Sequence, residues 1–418
     1  MKQILRVQRS CFSRVTDIFI FRQTISCRLF HGSKSQAREG DDVYVVAATR
    51  TAIGARDGQL KDFHPVALGA HVIRTAIMKS GLRDPTEITE GFIGHTFGGT
   101  INIARHAMVA AGLPLTADGT GISKSFSSGL KATILAARSV KSGEMNLAIA
   151  AGMGSGSFSD KKSPGFSRQL DQFRCVSFDD QSEKLSLVYG ISEEQAELYY
   201  INSLKQYQEA QEEGRFTFEI SPIPNRQASS VSRLQENDSN EDGLDSEETL
   251  IKDDELPGIP LEPDFLTNFD CDGAAAVLLA SESRLDALED DLIRPIGKIV
   301  AFSEGIDPNH NGITSAVSIG VKNILSKARI SADDVSRFEI SEHSAVGALA
   351  SLHLLQELGI PSEKVNSKGG SLVLGEIEGG SGIRMLVSLL YSLKEGELGV
   401  VATGDTEGGS SAILIQRT

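Results

Sequence analysis

The segment Ser128-Gly129-Leu130-Lys131-Ala132 can be laid over Ser381-Gly382-Ile383-Arg384-Met385, and the register then holds for about two dozen residues. Ser139 falls over Ser392, Lys141 over Lys394 and Gly143-Glu144 over Gly396-Glu397. In both copies a Ser-Gly turn opens a helix, a Gly-Glu loop closes it, and an apolar strand follows. A repeated unit of this kind predicts two related α/β halves whose equivalent helices face each other about a pseudo-two-fold axis.

The rest of the chain agrees with that class. Short apolar runs such as Val43-Tyr44-Val45-Val46-Ala47, Gly91-Phe92-Ile93-Gly94, Leu147-Ala148-Ile149-Ala150, Ala274 to Leu279 and Val400 to Thr403 read as strands. Pro65 to Ser80 and Ser344 to Leu358 read as helices between them. With 418 residues, 40% hydrophobic and 23% charged, the chain suits a soluble α/β protein of one large or two medium domains. No apolar run reaches the roughly 18 residues of a membrane span; Ile18-Phe19-Ile20-Phe21 is cut short by Arg22. A net charge of −15 argues against a nucleic-acid partner, which needs a basic face.

Residues 1–38 contrast with that average. Lys2, Arg6, Arg9, Arg14, Arg22, Arg28, Lys34 and Arg38 stand against one acid, Asp17, among many serines and apolar residues. This is the composition of a mitochondrial transit peptide, which predicts a matrix location; a basic arm for a partner is the alternative. After it, 42–152 and 266–290 form the N-terminal half, 153–265 an intervening loop domain, and 291–418 the C-terminal half. The loop domain includes a helix starting at the capped Ser192-Glu193-Glu194-Gln195 and an acidic stretch. From Glu236 to Glu255 there are ten Asp or Glu and one Lys, which reads as a solvated loop or an acidic docking tail. Cys11 and Cys27 fall in the leader, and Cys175 and Cys271 have no CxxC spacing, so neither a disulfide framework nor a structural zinc site is expected. Cys175, in a polar setting, reads as an ordinary small residue or a reactive thiol.

The start of the first repeat helix holds a contradiction. In GISKSFSSGLKA the unpaired N–H groups and the helix dipole favour negative charge near position 126, where a thiolate or oxyanion would be stabilised. That position is Phe126, and a benzyl group can use none of that field.

The segment Val43 to Gly54 resembles the opening of the thiolase family, as do Ala104-Arg105-His106-Ala107, Gly112-Leu113-Pro114, Ala150-Ala151-Gly152-Met153, Asp272-Gly273-Ala274-Ala275 and Asn366-Ser367-Lys368-Gly369-Gly370. Within the family, Ile191 to Gln195 and Ile201-Asn202-Ser203 are similar to mitochondrial acetyl-CoA acetyltransferases. The resemblance covers nearly all of 42–416. It implies the α/β thiolase fold, a duplicated five-layer α-β-α-β-α architecture with an inserted loop domain, assembled as dimers or tetramers. It also implies acyl transfer by a cysteine nucleophile, a histidine base, a second cysteine and an Asn-bound water in the oxyanion hole.

Each of those positions is altered. The nucleophile slot before Ser127-Ser128-Gly129 is Phe126. The base slot, in Gly375-Glu376-Ile377-Glu378, is Glu376. The oxyanion motif reads Ser341-Glu342-His343-Ser344-Ala345, placing Ser341 where the family has asparagine, and the second cysteine falls at Gly404. Losing one member of such a unit removes most of its rate advantage, so no functional catalytic residue is expected. Ser125 and Ser127 flank the slot without a base. The family's pantetheine-contacting serine corresponds to Asn268, and the region of the family's loop that serves the nucleotide phosphates here carries the acidic run ending Lys252-Asp253-Asp254-Glu255, which weakens any acyl-CoA binding.

Glu342, His343, Glu376, Glu378, Asp405 and Glu407 lie in loops that this fold should turn toward one centre. They read as solvated loop residues, as a site for a divalent cation or amine, or as a new acid–base pair. The expectation is therefore a thiolase homologue without acyl-transfer activity, with no cofactor and no metal, acting structurally or by regulation as a homo-oligomer or with an active thiolase. A working acetyl-CoA C-acetyltransferase of acyl-CoA, fatty acid or ketone-body metabolism is the rival.

Overall fold

Alternating strands and helices build both halves. The N-terminal half comprises β1 (Val43–Arg50), β2 (Gly54–Ala55), α1 (Pro65–Ser80), β3 (Glu90–Gly94), α2 (Ile103–Ala110), β4 (Asp118–Ile122), α3 (Ser128–Lys141) and β5 (Leu147–Gly154). Next come α4 (Phe178–Tyr189), α5 (Glu193–Glu212), β6 (Ile223–Pro224) and β7 (Leu250–Ile251), then β8 (Cys271–Ser281) and α6 (Glu282–Asp286). The C-terminal half comprises β9 (Gly297–Ile306), α7 (Ile313–Ala328), β10 (Val335–Ile340), α8 (Ala345–Glu357), α9 (Ser371–Leu374), α10 (Ser381–Leu390), β11 (Leu398–Gly404) and β12 (Gly409–Arg417). The structure, a computed structural model, describes residues 40–96, 101–158, 178–225, 250–256, 270–287, 293–307, 312–405 and 407–418. The leader, Cys175, Asn268 and most of the acidic stretch lie outside the described residues.

The duplication is written in the strand order. The main sheet runs β10-β11-β12-β9-β1-β8-β5-β3-β4, with β2 attached to β8. From either side the pairings mirror each other: β3 and β5 are parallel as β10 and β11 are, and β5 and β8 antiparallel as β11 and β12 are. Even the position of β4 has a counterpart, where Val365 bridges Phe338 in parallel. The halves join through Val43↔Ile299, Tyr44↔Lys298 and Val45↔Gly297 between β1 and β9, a pairing with no local signal in the chain.

Strand alternation sends side chains to two buried faces. In β8, Ala275, Val277 and Leu279 join α3 and α10 in a central core, while Ala274, Ala276 and Leu278 join α1 and α2 on the outer side. Burial on both faces explains why the strands read as continuous apolar runs. The third core, under α7, takes Val400, Ala402, Ala412 and Leu414. The layers are therefore outer helices, strands, the central α3–α10 pair, strands and outer helices. The capping box of α5 forms as its sequence implies: Ser192 Oγ accepts from Gln195 N at 3.2 Å, and Gln195 Oε1 from Ser192 N at 2.8 Å.

The two repeat helices start identically. Ser128 Oγ accepts the Lys124 N–H at 2.8 Å, and Ser381 Oγ accepts the Ile377 N–H at 2.9 Å, four residues upstream in each case. The close approach of α10 to the first half needs glycine. A Cβ on Gly129 would lie 2.9 Å from Gly379 O, and one on Gly152 2.6 Å from the same atom. This contact sets the two helix starts side by side at the middle of the molecule.

Candidate functional site

At the start of α3 the backbone donors of Ser127 and Ser128 are already engaged. Ser127 N donates to Lys124 O at 3.0 Å and Ser128 N to Ser125 O at 3.1 Å, a tight turn that holds Ser125 at φ +46°. Phe126 sits in that turn, half-buried, and packs against the core beneath α7. Its ring lies on the imidazole of His343, 4.4 Å between centroids and 54° between planes. His343 is buried, and that burial pushes its pKa down to about 3, so the ring stays neutral at physiological pH.

The flanking hydroxyls are placed for structure. Ser127 is fully buried, and its Oγ accepts from Thr403 Oγ1 at 2.9 Å. Ser125 instead lines an open groove of about 750 Å³ with Lys124, Glu304, Asp405 and Glu407, and among the described residues no histidine lines it. Among the described residues, a serine there has no base to activate it.

Ser341 and Gly404 come together. Ser341 Oγ accepts the Gly404 N–H at 3.1 Å, so the oxyanion-slot hydroxyl and the second-cysteine slot bond to one another. A side chain at 404 has no room, since a Cβ would fall 2.5 Å from Ile313 O and 3.1 Å from Ile313 Cγ2 at the start of α7. The cavity beside Ser341 and His343 is about 20 Å³, room for roughly one water molecule.

Glu376 is buried. Burial pushes its carboxyl up to about 8, with Glu378 and Asp270 adding to the effect and Ser381 and Arg384 opposing it. It is therefore mostly protonated at neutral pH, a donor rather than a general base.

The expected single carboxylate centre does not form. Glu342 is buried away from the groove, where Tyr199 donates its phenol to Oε1, Asn366 Nδ2 donates to the same oxygen at 2.7 Å, and Leu372 N donates to Oε2 at 3.2 Å. Asp405 closes its own turn by accepting the Gly409 N–H at 2.5 Å, and Glu378 and Glu407 are exposed. Among the described residues no three His, Cys, Asp or Glu side chains converge as a metal ion requires. Loop order put these residues near one another, but the hydrogen bonds turn the carboxylates in different directions. Tyr199 and Asn366, which fix Glu342, were missed as site residues; the Asn366-Ser367-Lys368-Gly369-Gly370 motif was the available signal.

The acidic run departs from its expected solvated setting, because its described end at 252–255 is internal. Asp254 forms a bidentate pair with the fully buried Arg50, at 2.6 and 2.9 Å, and Arg50 Nε also donates to Glu219 at 2.9 Å. Glu255 Oε2 accepts from Gln59 N at 2.7 Å and Ala55 N at 3.3 Å. Neither carboxylate is presented to a phosphate. Cys271, the one described cysteine, is buried, and burial followed by Asp272 and Asp270 pushes its thiol well above the ordinary range, which leaves it unreactive. Among the described residues no helix is long and apolar enough to cross a membrane.

Fold and site together define a duplicated, layered α/β scaffold built around two helix starts that meet at its centre. The chain belongs to the thiolase family: residues 43–252 match the thiolase N-terminal domain and residues 293–417 the thiolase C-terminal domain. It is 32% identical to an acetyl-CoA acetyltransferase of Chromobacterium violaceum, over 84% of this chain and 93% of that one. Against the mitochondrial acetyl-CoA acetyltransferase of Rattus norvegicus the identity is 29%, over 90% and 91%. Among solved structures, the Acat5 thiolase of Ascaris suum in complex with coenzyme A superposes with a TM-score of 0.73 at 27% identity, covering 90% of this chain and all of that one.

Proposed function

We propose that this thiolase-family chain has lost acyl transfer and serves as a structural or regulatory homologue of an acetyl-CoA acetyltransferase. The observation that carries the reading is the Phe126 ring packed, tilted, against His343 at the position where the family resemblance places the nucleophile. An aromatic ring forms no thioester, and the described neighbours offer no substitute: Ser127 is sealed, Ser125 has no base among the described residues of its groove, and Glu376 keeps its proton. Gly404 adds to this, since its surroundings exclude a second thiol.

A thiolase scaffold without chemistry retains its surfaces, so the role is exerted as a homo-oligomer or beside an active thiolase, with weak acyl-CoA binding at most. The basic composition of residues 1–38 supports action in the mitochondrial matrix, which an import assay with that segment tests. The decisive assay is thiolysis of acetoacetyl-CoA by the purified chain, with mass spectrometry for an acetyl adduct. The expected result is no turnover and no adduct, for the natural chain and for Phe126→Cys alone, because a thiol there still lacks its base. Turnover or an acetylated residue would restore the enzyme reading.

A further inference from the structure

A second cavity lies on the outer side of the N-terminal half, against α1 and away from Phe126. It has a volume of about 320 Å³, at the small end of the range for ligand pockets, and Phe63, Leu68, Ile223 and Pro224 form apolar walls. Its polar side is supplied by His71 and Arg74, and among the described residues no acidic residue lines it.

Both polar groups are held in place by bonds on their far sides. His71 Nε2 lies 2.7 Å from Ser221 Oγ, which lies 3.0 Å from Thr75 Oγ1, so one edge of the imidazole is pinned inside the protein. Arg74 Nε and Nη2 donate to Ala111 O and Ala110 O at 3.2 and 2.6 Å, at the end of α2. Among the described residues, His71 Nδ1 and Arg74 Nη1 make no hydrogen bond. A guanidinium and an imidazole therefore line one cavity, each anchored by hydrogen bonds to the protein. Such a pair suits a carboxylate: in the tautomer where Ser221 Oγ–H donates to Nε2, His71 carries its proton on Nδ1, and both it and the Arg74 guanidinium donate to the anion. The apolar walls suit a short hydrocarbon tail.

From this geometry we infer that the cavity between α1 and β6 binds a small aliphatic monocarboxylate, its head on Arg74 and His71 and its tail against Phe63, Leu68 and Ile223. This is independent of acyl transfer, since none of these residues belongs to the family's altered slots.

The test is calorimetric titration of the full chain with sodium hexanoate, with acetate and hexan-1-ol as partial ligands. Hexanoate should bind once per chain, and both partial ligands at least about tenfold more weakly, one lacking the tail and the other the charge. Arg74→Gln should weaken hexanoate by about tenfold. Because Arg74 also caps α2, a second variant is needed: Ala67→Phe, at the exposed mouth of the cavity, should block binding while leaving the melting temperature unchanged. No heat with hexanoate at ~10 mM would overturn the inference. So would equal binding of hexan-1-ol, or hexanoate binding that Ala67→Phe leaves intact.

Discussion

The Phe126 ring covers the imidazole of His343, 4.4 Å away, and the pair closes the centre where the two repeat helices begin. The contact is both packing and electrostatics, because burial is what holds His343 neutral. Phe126→Ala should destabilise the fold by about 2 kcal/mol, less than for a fully buried ring because Phe126 is only half-buried. Water reaching His343 should also raise its pKa from about 3 toward the ordinary 6.5. Denaturant melts and NMR titration of the His343 ring protons check both, and an unmoved His343 would show that Phe126 is not its cover.

Gly404 sets a separate barrier to restoring the chemistry. A Cβ there meets a backbone oxygen, Ile313 O, at 2.5 Å, which cannot rotate away as a side chain would. Gly404→Cys should cost about 1–3 kcal/mol, by displacing the start of α7. Gly143→Ala meets no atom within 4 Å but sits at φ +76°, so its penalty is conformational, about 1 kcal/mol. Urea melts of the two variants separate crowding from backbone strain: relief by Ile313→Ala should be absent, because the clash is with main chain.

Much of this fold was legible in the sequence. Laying Ser128 over Ser381 anticipated two equivalent hydroxyls, each holding an N–H four residues upstream. The β1–β9 pairing was not legible, since strand edges carry no local signal for a partner more than two hundred residues away. At the site, the identities of Phe126, Ser341, Glu376 and Gly404 could be read, but not the directions of their neighbours. Glu342 and Asp405 looked like members of one acidic centre until Asn366 and the Gly409 amide showed where each points. Asp254 looked solvated because its partner, Arg50, lies at the other end of the half.

Glu376 gives the fold a defined response to pH. Its carboxyl has an ordinary pKa of 4.5 and a folded value of about 8, so between those limits the folded state holds more protons than the unfolded one. Stability from this group therefore falls as pH rises through that window. Glu376→Gln removes the contribution, so the variant should gain on the natural chain steadily from about pH 4.5 to 8 and keep a constant difference below it. The difference isolates Glu376 from Glu339, which burial raises to about 7 and which slopes in the same direction in both proteins. Parallel melting curves across that range would refute the assignment.

Asp254 supplies a prediction that opposes its reading as a surface charge. Its carboxylate is almost wholly buried, with both oxygens on the Arg50 guanidinium, and Arg50 is fully enclosed. Removing one partner of a buried pair leaves the other charge uncompensated, which costs far more than losing an exposed ion pair. Asp254→Ala should therefore destabilise the chain by about 3 kcal/mol, moderated because Glu219 still holds Arg50 Nε. Glu209→Ala is the control: its pairing with Lys205 at 3.8 Å is solvent-exposed, and its loss should change stability by less than about 0.5 kcal/mol. Guanidinium titrations of the two variants give the comparison, and equal midpoints would mean that Asp254 is solvated after all.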